Sequence, residues 1–244
     1  TGSIIKNNSK WHYFYTGRNK KENGSKQRIG HAIGETPYSF NRCGNGLALD
    51  LDTNIYQELE NDNYWQDRAM RDPWVMKHPY ENKYIMAYTA RALIHSDPYQ
   101  CGVIGMAESN DLYEWKSTKP LFGGFFSQLE VPQIFKVENK WYCLFCNHPE
   151  DWSNEFKRNY NGPNKRGTHY LIADNFEGPW NLAPGAYLTT SSEIELYAGR
   201  VIEKDNKFFF MDFFHDDKDG NFIGEISNPI PINFDTNGLM SLEI

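Results

Sequence analysis

Leu129–His148 reads LEVPQIFKVENKWYCLFCNH. It contains a short apolar strand opening at a proline, a polar pair at Glu138-Asn139, and the nearly continuous apolar run WYCLFC. Asn and acidic residues tolerate left-handed backbone and so close tight hairpins. An apolar run without alternation suits a strand packed on both faces. A variable loop then leads to a third strand and a close in THYLIADNFEGPW, Thr168–Trp180. The same order recurs around it. Upstream lie RDPWVMKHPYENKYIMAYTAR (Arg71–Arg91) with CGVIGMAESNDLYEW, and before them GSIIKNNSKWHYFYTG (Gly2–Gly17) with RIGHAIGETPYSF. Downstream lies LYAGRVIEKDNKFFFMDFF (Leu196–Phe214) with NFIGEISNPIPI. The aromatic strands start near Trp11, Lys83, Trp141 and Lys207, at spacings of 72, 58 and 66 residues. Four tandem four-stranded units describe all-β propeller blades, over about 1–60, 70–118, 128–185 and 195–235 of a single domain spanning 1–244. A β-sandwich would not repeat one strand-turn-strand-loop-strand order four times.

Composition agrees and narrows the partners. The 244 residues carry 25 Lys and Arg against 32 Asp and Glu, a net charge of −7. That argues against nucleic acid or an anionic membrane as the main partner, since both demand a basic surface. No apolar run approaches the roughly 18 residues of a membrane span. The opening TGSIIKNNSK lacks the pattern of a secretion signal, and the compartment is left open. Aromatic residues make up 16% of the chain, which suits both strands and the ring-lined clefts that hold sugars. Cys43, Cys101, Cys143 and Cys146 read as free, mostly buried thiols: a C-x-x-C on a strand points its sulfurs to opposite faces. Neither metal nor cofactor is expected.

Pro73 and Pro132 stand at the starts of the first strands of two units. Proline cannot donate to a ladder, so it marks strand beginnings and edges, here the inner edge of a blade. The acids beside them, Asp72 and Glu130, occupy equivalent strand starts and are expected to approach one another at one end of the channel. Two such carboxylates are the minimum equipment for cleaving a glycosidic bond, one donating a proton and the other staying ionised. Glu130, in apolar company, is the better candidate for the acid with a raised pKa. Arg71 precedes Asp72, and since adjacent side chains on a regular strand point apart, their direct pairing is left open. Taken singly, Asp72 is an ordinary turn residue and Glu130 a solvated edge charge; their repeated placement favours function.

RDPWV at Arg71–Val75 and LEVPQIF at Leu129–Phe135 resemble the Arg-Asp-Pro and Glu-Cys-Pro motifs of glycoside hydrolase family 32, the five-bladed propellers of invertases, levanases and inulinases, related to family 43 arabinosidases and xylosidases. TGSII at Thr1–Ile5 with FYTG at Phe14–Gly17 is similar to the family's Ser-Gly-Ser segment and the strand after it, and SNDLYEW at Ser109–Trp115 to a strand-to-strand signature. The resemblance spans essentially the whole chain in order. It implies that Asp72 stabilises the transition state together with Arg71, that Glu130 is the general acid/base, and that Thr1 contacts sugar. It also implies a nucleophilic Asp on a blade preceding Thr1, so four of five blades are accounted for. Val131 stands where the family has Cys, and Gln133 where an Asp commonly follows. Family 32 likeness implies retention and family 43 likeness inversion, with carboxyl separations of roughly 5–5.5 Å and 6.5–9.5 Å.

Other residues complete the reading. Trp65 and Trp74 flank the candidate active strand that opens the second unit; either serves as a stacking platform, and Trp74 serves equally as inter-blade packing. Tyr197 and Arg200 open the fourth unit, where Arg200 binds sugar hydroxyls or pairs with a loop carboxylate. Glu193 and Glu195 before them read as solvent-exposed loop acids. His169 reads as a core histidine and Asp212 as a structurally hydrogen-bonded buried acid. Residues 17–28 form a solvated hairpin loop, and residues 149–166 a long polar loop near the funnel rim. The expected function is hydrolysis of a furanoside-type oligo- or polysaccharide, a fructoside or arabinoside. The alternative is a non-catalytic carbohydrate-binding propeller, and exposed blade edges would favour self-association.

Overall fold

A computed structural model describes residues 1–58, 65, 67–93, 97–188 and 196–243; Glu193 and Glu195 lie outside the described residues. Four antiparallel sheets follow one another along the chain, as the repeat predicts. The first comprises β1 (Gly2–Asn7), β2 (Lys10–Arg18), β3 (Gln27–Thr36) and β4 (Ser39–Leu49). The second comprises β5 (Met70–Lys77), β6 (Tyr84–Arg91), β7 (Gly102–Ser109) and β8 (Lys116–Gly123). The third is built from β9 (Glu130–Val137), β10 (Lys140–Asn147), β11 (Gly167–Ala173) and β12 (Asn181–Leu188). The fourth contains β13 (Leu196–Lys204), β14 (Lys207–Asp216), β15 (Phe222–Ile226), β16 (Ile230–Phe234) and β17 (Met240–Leu242). Each is a propeller-type blade, and in the first three every pair of strands adjacent in sequence also pairs in space. In the fourth, the long β14 is shared: Phe213 pairs with Ile226 of β15, and Phe209 with Pro231 of β16. Pro229 and Pro231 explain the break, since neither can donate to the ladder.

The chain forms two compact units, Thr1–Pro132 and Gln133–Ile244. In the first, Phe14, Ile29, Tyr56, Met70, Met86, Tyr88 and Leu112 are closed to solvent and form one apolar cluster. Truncating any of the aromatic members to Ala costs about 3–5 kcal/mol. A register shift between Ile104 and Met106 frees backbone groups of Met106. Buried tyrosines satisfy them: Met106 N donates to the Tyr56 hydroxyl (3.2 Å), and the Tyr88 hydroxyl donates to Met106 O (3.3 Å). In the second unit the aromatic strands β10 and β14 supply Tyr142, Leu144 and Phe210 to a cluster with Tyr170, Val201 and Met240. The four cysteines are free, and all but Cys43 are buried.

The long polar loop is anchored rather than loose. Ser153 caps a short helix α1 (Asn154–Asn159) by accepting from Phe156 N at 3.1 Å. Phe156 then packs edge-on to Trp152 and stacks on Tyr160. His169 lies buried among these rings and those of Phe145 and Tyr187, a core histidine as expected.

Two buried titratable groups respond to pH in opposite senses. His31 stacks on Phe14, with Nε2 3.0 Å from His12 Nδ1. Burial, and then the neighbouring His12, push its pKa down to about 4. The unfolded chain takes up this proton near pH 6.5 and the folded chain only near 4. The stability His31 contributes is therefore complete above 6.5 and is lost as pH falls toward 4, to the extent of about 2 kcal/mol. Asp212 departs from the sequence expectation. Its backbone pairs with Ser227 (Asp212 N to Oγ, 3.1 Å), but its carboxylate oxygens accept no hydrogen bond among the described residues. Burial pushes this carboxyl up to about 6. Its contribution is present below the ordinary carboxyl range and is lost as pH rises through 6. His31→Gln should flatten the drop in urea midpoint between pH 7 and 4.5, and an unchanged drop would acquit the histidine. Asp212→Asn should raise stability at pH 7.5 by about 2 kcal/mol, with the gain vanishing near pH 4 in thermal melts.

Candidate active site

Regular strands alternate their side chains, and β5 breaks that rule at its most charged point. Asp72 has φ of 60°, in the left-handed region that Asp tolerates better than most residues. Across the hairpin, Arg71 pairs with Thr89 and Trp74 with Ala87, so three steps on β5 match two on β6. This bulge turns Arg71 and Trp74 to one face and folds Arg71 back beside Asp72, with Nε 3.6 Å from Oδ2. The pairing that strand alternation left open is made possible by this irregularity.

The bulge recurs. Val131 (φ 53°) and Ala198 (φ 55°) hold the same conformation at the same place, and on β13 the register shifts between Tyr197 and Arg200. Arg71, Glu130 and Tyr197 are therefore equivalent, as are Asp72, Val131 and Ala198. Asp72 and Glu130 are offset by one residue, a correction to the equivalence read from the prolines. Gly199 replaces proline in the fourth blade for a local reason. A Cβ there would stand 2.3 Å from the Phe210 ring, and the Gly199 N–H donates to Thr168 Oγ1 at 3.2 Å, which proline could not do.

The offset does not separate the two acids. Glu130 opens β9, the first three residues of which belong to the first unit. Arg71 Nη2 donates to Glu130 Oε1 and, at 2.8 Å, to Gln128 Oε1. Asp72 Oδ2 accepts from Val131 N (3.2 Å) and Thr89 Oγ1 (3.1 Å), and Oδ1 accepts from the Thr1 hydroxyl. The Asp72 N–H donates to Thr16 Oγ1 at 3.0 Å. Burial works against the charge of Arg71, but Glu130 and Asp72, joined by Asp67, outweigh it and hold its pKa above the ordinary value. The Asp72 side chain is 6% exposed and that of Glu130 20%, so Glu130 is the more open to a ligand.

Thr1, Arg71, Asp72 and Glu130 are thus gathered in one cluster, as expected. Trp74 stands half-buried on the same face of β5 as Arg71. Tyr197 and Arg200 belong to the second unit. There Tyr197 is buried, edge-on to His148 (5.0 Å) and Phe213 (6.1 Å), and Arg200 is half-buried. Trp65 meets the Arg91 guanidinium at 4.5 Å instead of standing free. Sequence reading missed Thr16, Thr89 and Gln128. Hairpin register from the Tyr84 end could have flagged Thr89; nothing in the sequence marks the other two.

One cation set against Asp72, Glu130 and, at 3.7 Å, Asp67 makes a physical prediction independent of any reaction. Arg71→Met should destabilise the protein by about 3 kcal/mol, because it strands two partly buried carboxylates. Adding Asp72→Asn and Glu130→Gln should restore most of that in urea titrations; a wild-type midpoint for the single variant would contradict the shared pairing.

Comparison with known proteins places this geometry in context. Residues 1–212 match the model of the glycosyl hydrolases family 32 N-terminal domain. No curated protein matches the sequence significantly. The fold is similar to that of an inulosucrase from Halalkalicoccus jeotgali bound to kestose, at 18% identity and a TM-score of 0.76, covering 96% of this chain and 66% of that one. Bacillus subtilis levansucrase aligns at 16% identity and 0.74, covering 100% and 67%. A Bombyx mori β-fructofuranosidase mutant in complex with sucrose aligns at 14% and 0.67, covering 98% and 49%. The chain therefore spans about two thirds of the first two proteins and half of the third.

Proposed function

Because the chain belongs to glycosyl hydrolases family 32, we propose that it carries the acid/base half of a fructosidase-type active site and acts on a β-fructoside such as sucrose or a fructan. The observation that carries this reading is the single guanidinium shared by Asp72 and Glu130. It lets two acids stand together where mutual repulsion would otherwise force them apart. In the proposed reaction Glu130 delivers its proton to the leaving oxygen as the glycosidic bond breaks, then recovers it from the incoming water or sugar hydroxyl. Asp72, held by Thr1, Thr89 and Val131 N, accepts hydrogen bonds from sugar hydroxyls that strengthen as the ring flattens toward an oxocarbenium ion. Arg71, Thr1 and Trp74 line the same site. The group that attacks the anomeric carbon is not assigned. Support comes from the family match and from two structural neighbours described with kestose and sucrose bound.

The test is hydrolysis of sucrose and inulin by the full-length protein and its Glu130→Gln and Asp72→Asn variants. Loss of the proton donor should lower kcat/KM by roughly 10²–10⁴-fold with little change in thermal midpoint. Wild-type turnover by Glu130→Gln would remove that residue from the mechanism. Saturable sugar binding without any hydrolysis by the unmodified protein would favour a carbohydrate-binding propeller instead.

A further inference from the structure

Behind Arg71, on the side away from the carboxylates, lies a polar chain that the proposed chemistry does not use. Gln27 opens β3 and is 1% exposed. Its Nε2 donates to Asp67 Oδ2 at 2.9 Å, while its Oε1 accepts from Met70 N (3.2 Å) and Arg71 Nη1 (3.3 Å). This amide has only one workable orientation: the carboxylate requires the NH₂ end, and the two N–H donors require the oxygen. Asp67 is fixed in turn by Arg91, whose Nη2 donates to Oδ1 (2.8 Å) and Nη1 to the Asp67 carbonyl (2.7 Å). The backbone of Gln27 is clamped as well, its N–H donating to Arg68 O (3.3 Å) and its O accepting from Arg68 Nη2 (3.1 Å).

We propose that Gln27, oriented by the Asp67–Arg91 pair, is a positioning residue that sets the rotation of the Arg71 guanidinium. Arg71 Nη1 is tied to Gln27, which leaves Nη2 for Gln128 and Glu130 and Nε for Asp72. Without the Gln27 acceptor, Arg71 Nη1 keeps only its longer contact with Asp67 Oδ2 (3.7 Å), and the angle at which the planar fork meets the two acids relaxes. Gln27 acts through Arg71 and does not itself meet the sugar. The inference rests on the reading of Asp72 and Glu130 as the acting acids, and goes beyond it by naming what holds the group between them.

Three variants of the full-length protein test it: Gln27→Met, Gln27→Glu, and Gln27→Glu combined with Asp67→Asn. The first removes the acceptor. The second sets two carboxylates against each other. The third reverses the hydrogen bond, so that the amide at 67 donates to the carboxylate at 27 and total charge is kept. The expected result is a kcat for fructoside hydrolysis roughly 10- to 100-fold lower in both single variants with KM nearly unchanged, as a small misplacement of a reacting group produces. The double variant should return to within about threefold of wild type. In ¹⁵N spectra of the guanidinium, the wild-type Arg71 Nη signals should be separate and should merge in Gln27→Met. Wild-type kcat in Gln27→Met, separate Nη signals in that variant, or no recovery in the double variant would each overturn the proposal. If Gln27→Met does not fold, the paired Glu variants still decide it. If the unmodified protein cleaves no fructoside, the functional reading fails instead, and the spectra still report whether Gln27 holds Arg71.

Discussion

Two carboxylates crowded into a poorly hydrated space either share a proton or take a positive charge between them, and here Arg71 stands between Asp72 and Glu130. Its place is not a matter of side-chain reach alone. A straight β5 would send Arg71 and Asp72 to opposite faces. The left-handed turn of the backbone at Asp72 brings both to one side and aims the guanidinium at the start of β9, where Glu130 stands. Thr89 and Thr16, from β6 and β2, then complete the shell of Asp72 without adding charge. The site is a backbone irregularity stabilised by polar contacts from four strands.

Much of the fold was legible because its signals are local and repeated. Polar pairs stand at the turn between the first two strands of every unit; Asn8, Glu138, Asp205 and Asn206 adopt positive φ there, whereas Glu81-Asn82 turns the second unit without it. The runs WYCLFC and KFFFMDFF became β10 and β14. Less legible was anything that depends on a residue far away. Val131 and Ala198 carry no mark of left-handed conformation; a β-branched residue there contradicts propensity, and tertiary packing overrides it. Missing the bulge displaced the equivalence of Asp72 and Glu130 by one residue, yet not the conclusion that they meet. The cap at Ser153, the aromatic anchoring of α1 and the orphaned carboxylate of Asp212 were likewise hidden, since each depends on which distant groups surround it.

The residues of the candidate site divide along the same line. Arg71, Asp72, Glu130 and Thr1 could be named because short motifs carry them. Gln27, Asp67, Arg91 and Gln128 could not. Their importance lies in a relay of hydrogen bonds linking positions 27, 67, 71 and 91, and no spacing announces it. Polar residues in such a relay resemble any other glutamine or aspartate until the partners are seen. Their near-complete satisfaction in a buried setting is what distinguishes them, because an unpaired member would cost more than the network gains.

The repeated bulge has an evolutionary reading. Asp72, Val131 and Ala198 sit at one backbone position in successive blades, and the residues one step earlier are Arg71, Glu130 and Tyr197. In these three blades one backbone turn thus presents two adjacent positions, filled in turn by a cation, an acid or a phenol at the first and an acid or an aliphatic stub at the second. Chemistry in such a molecule can be acquired, lost or moved between blades by single codon changes, with no need to reinvent the main chain that presents it.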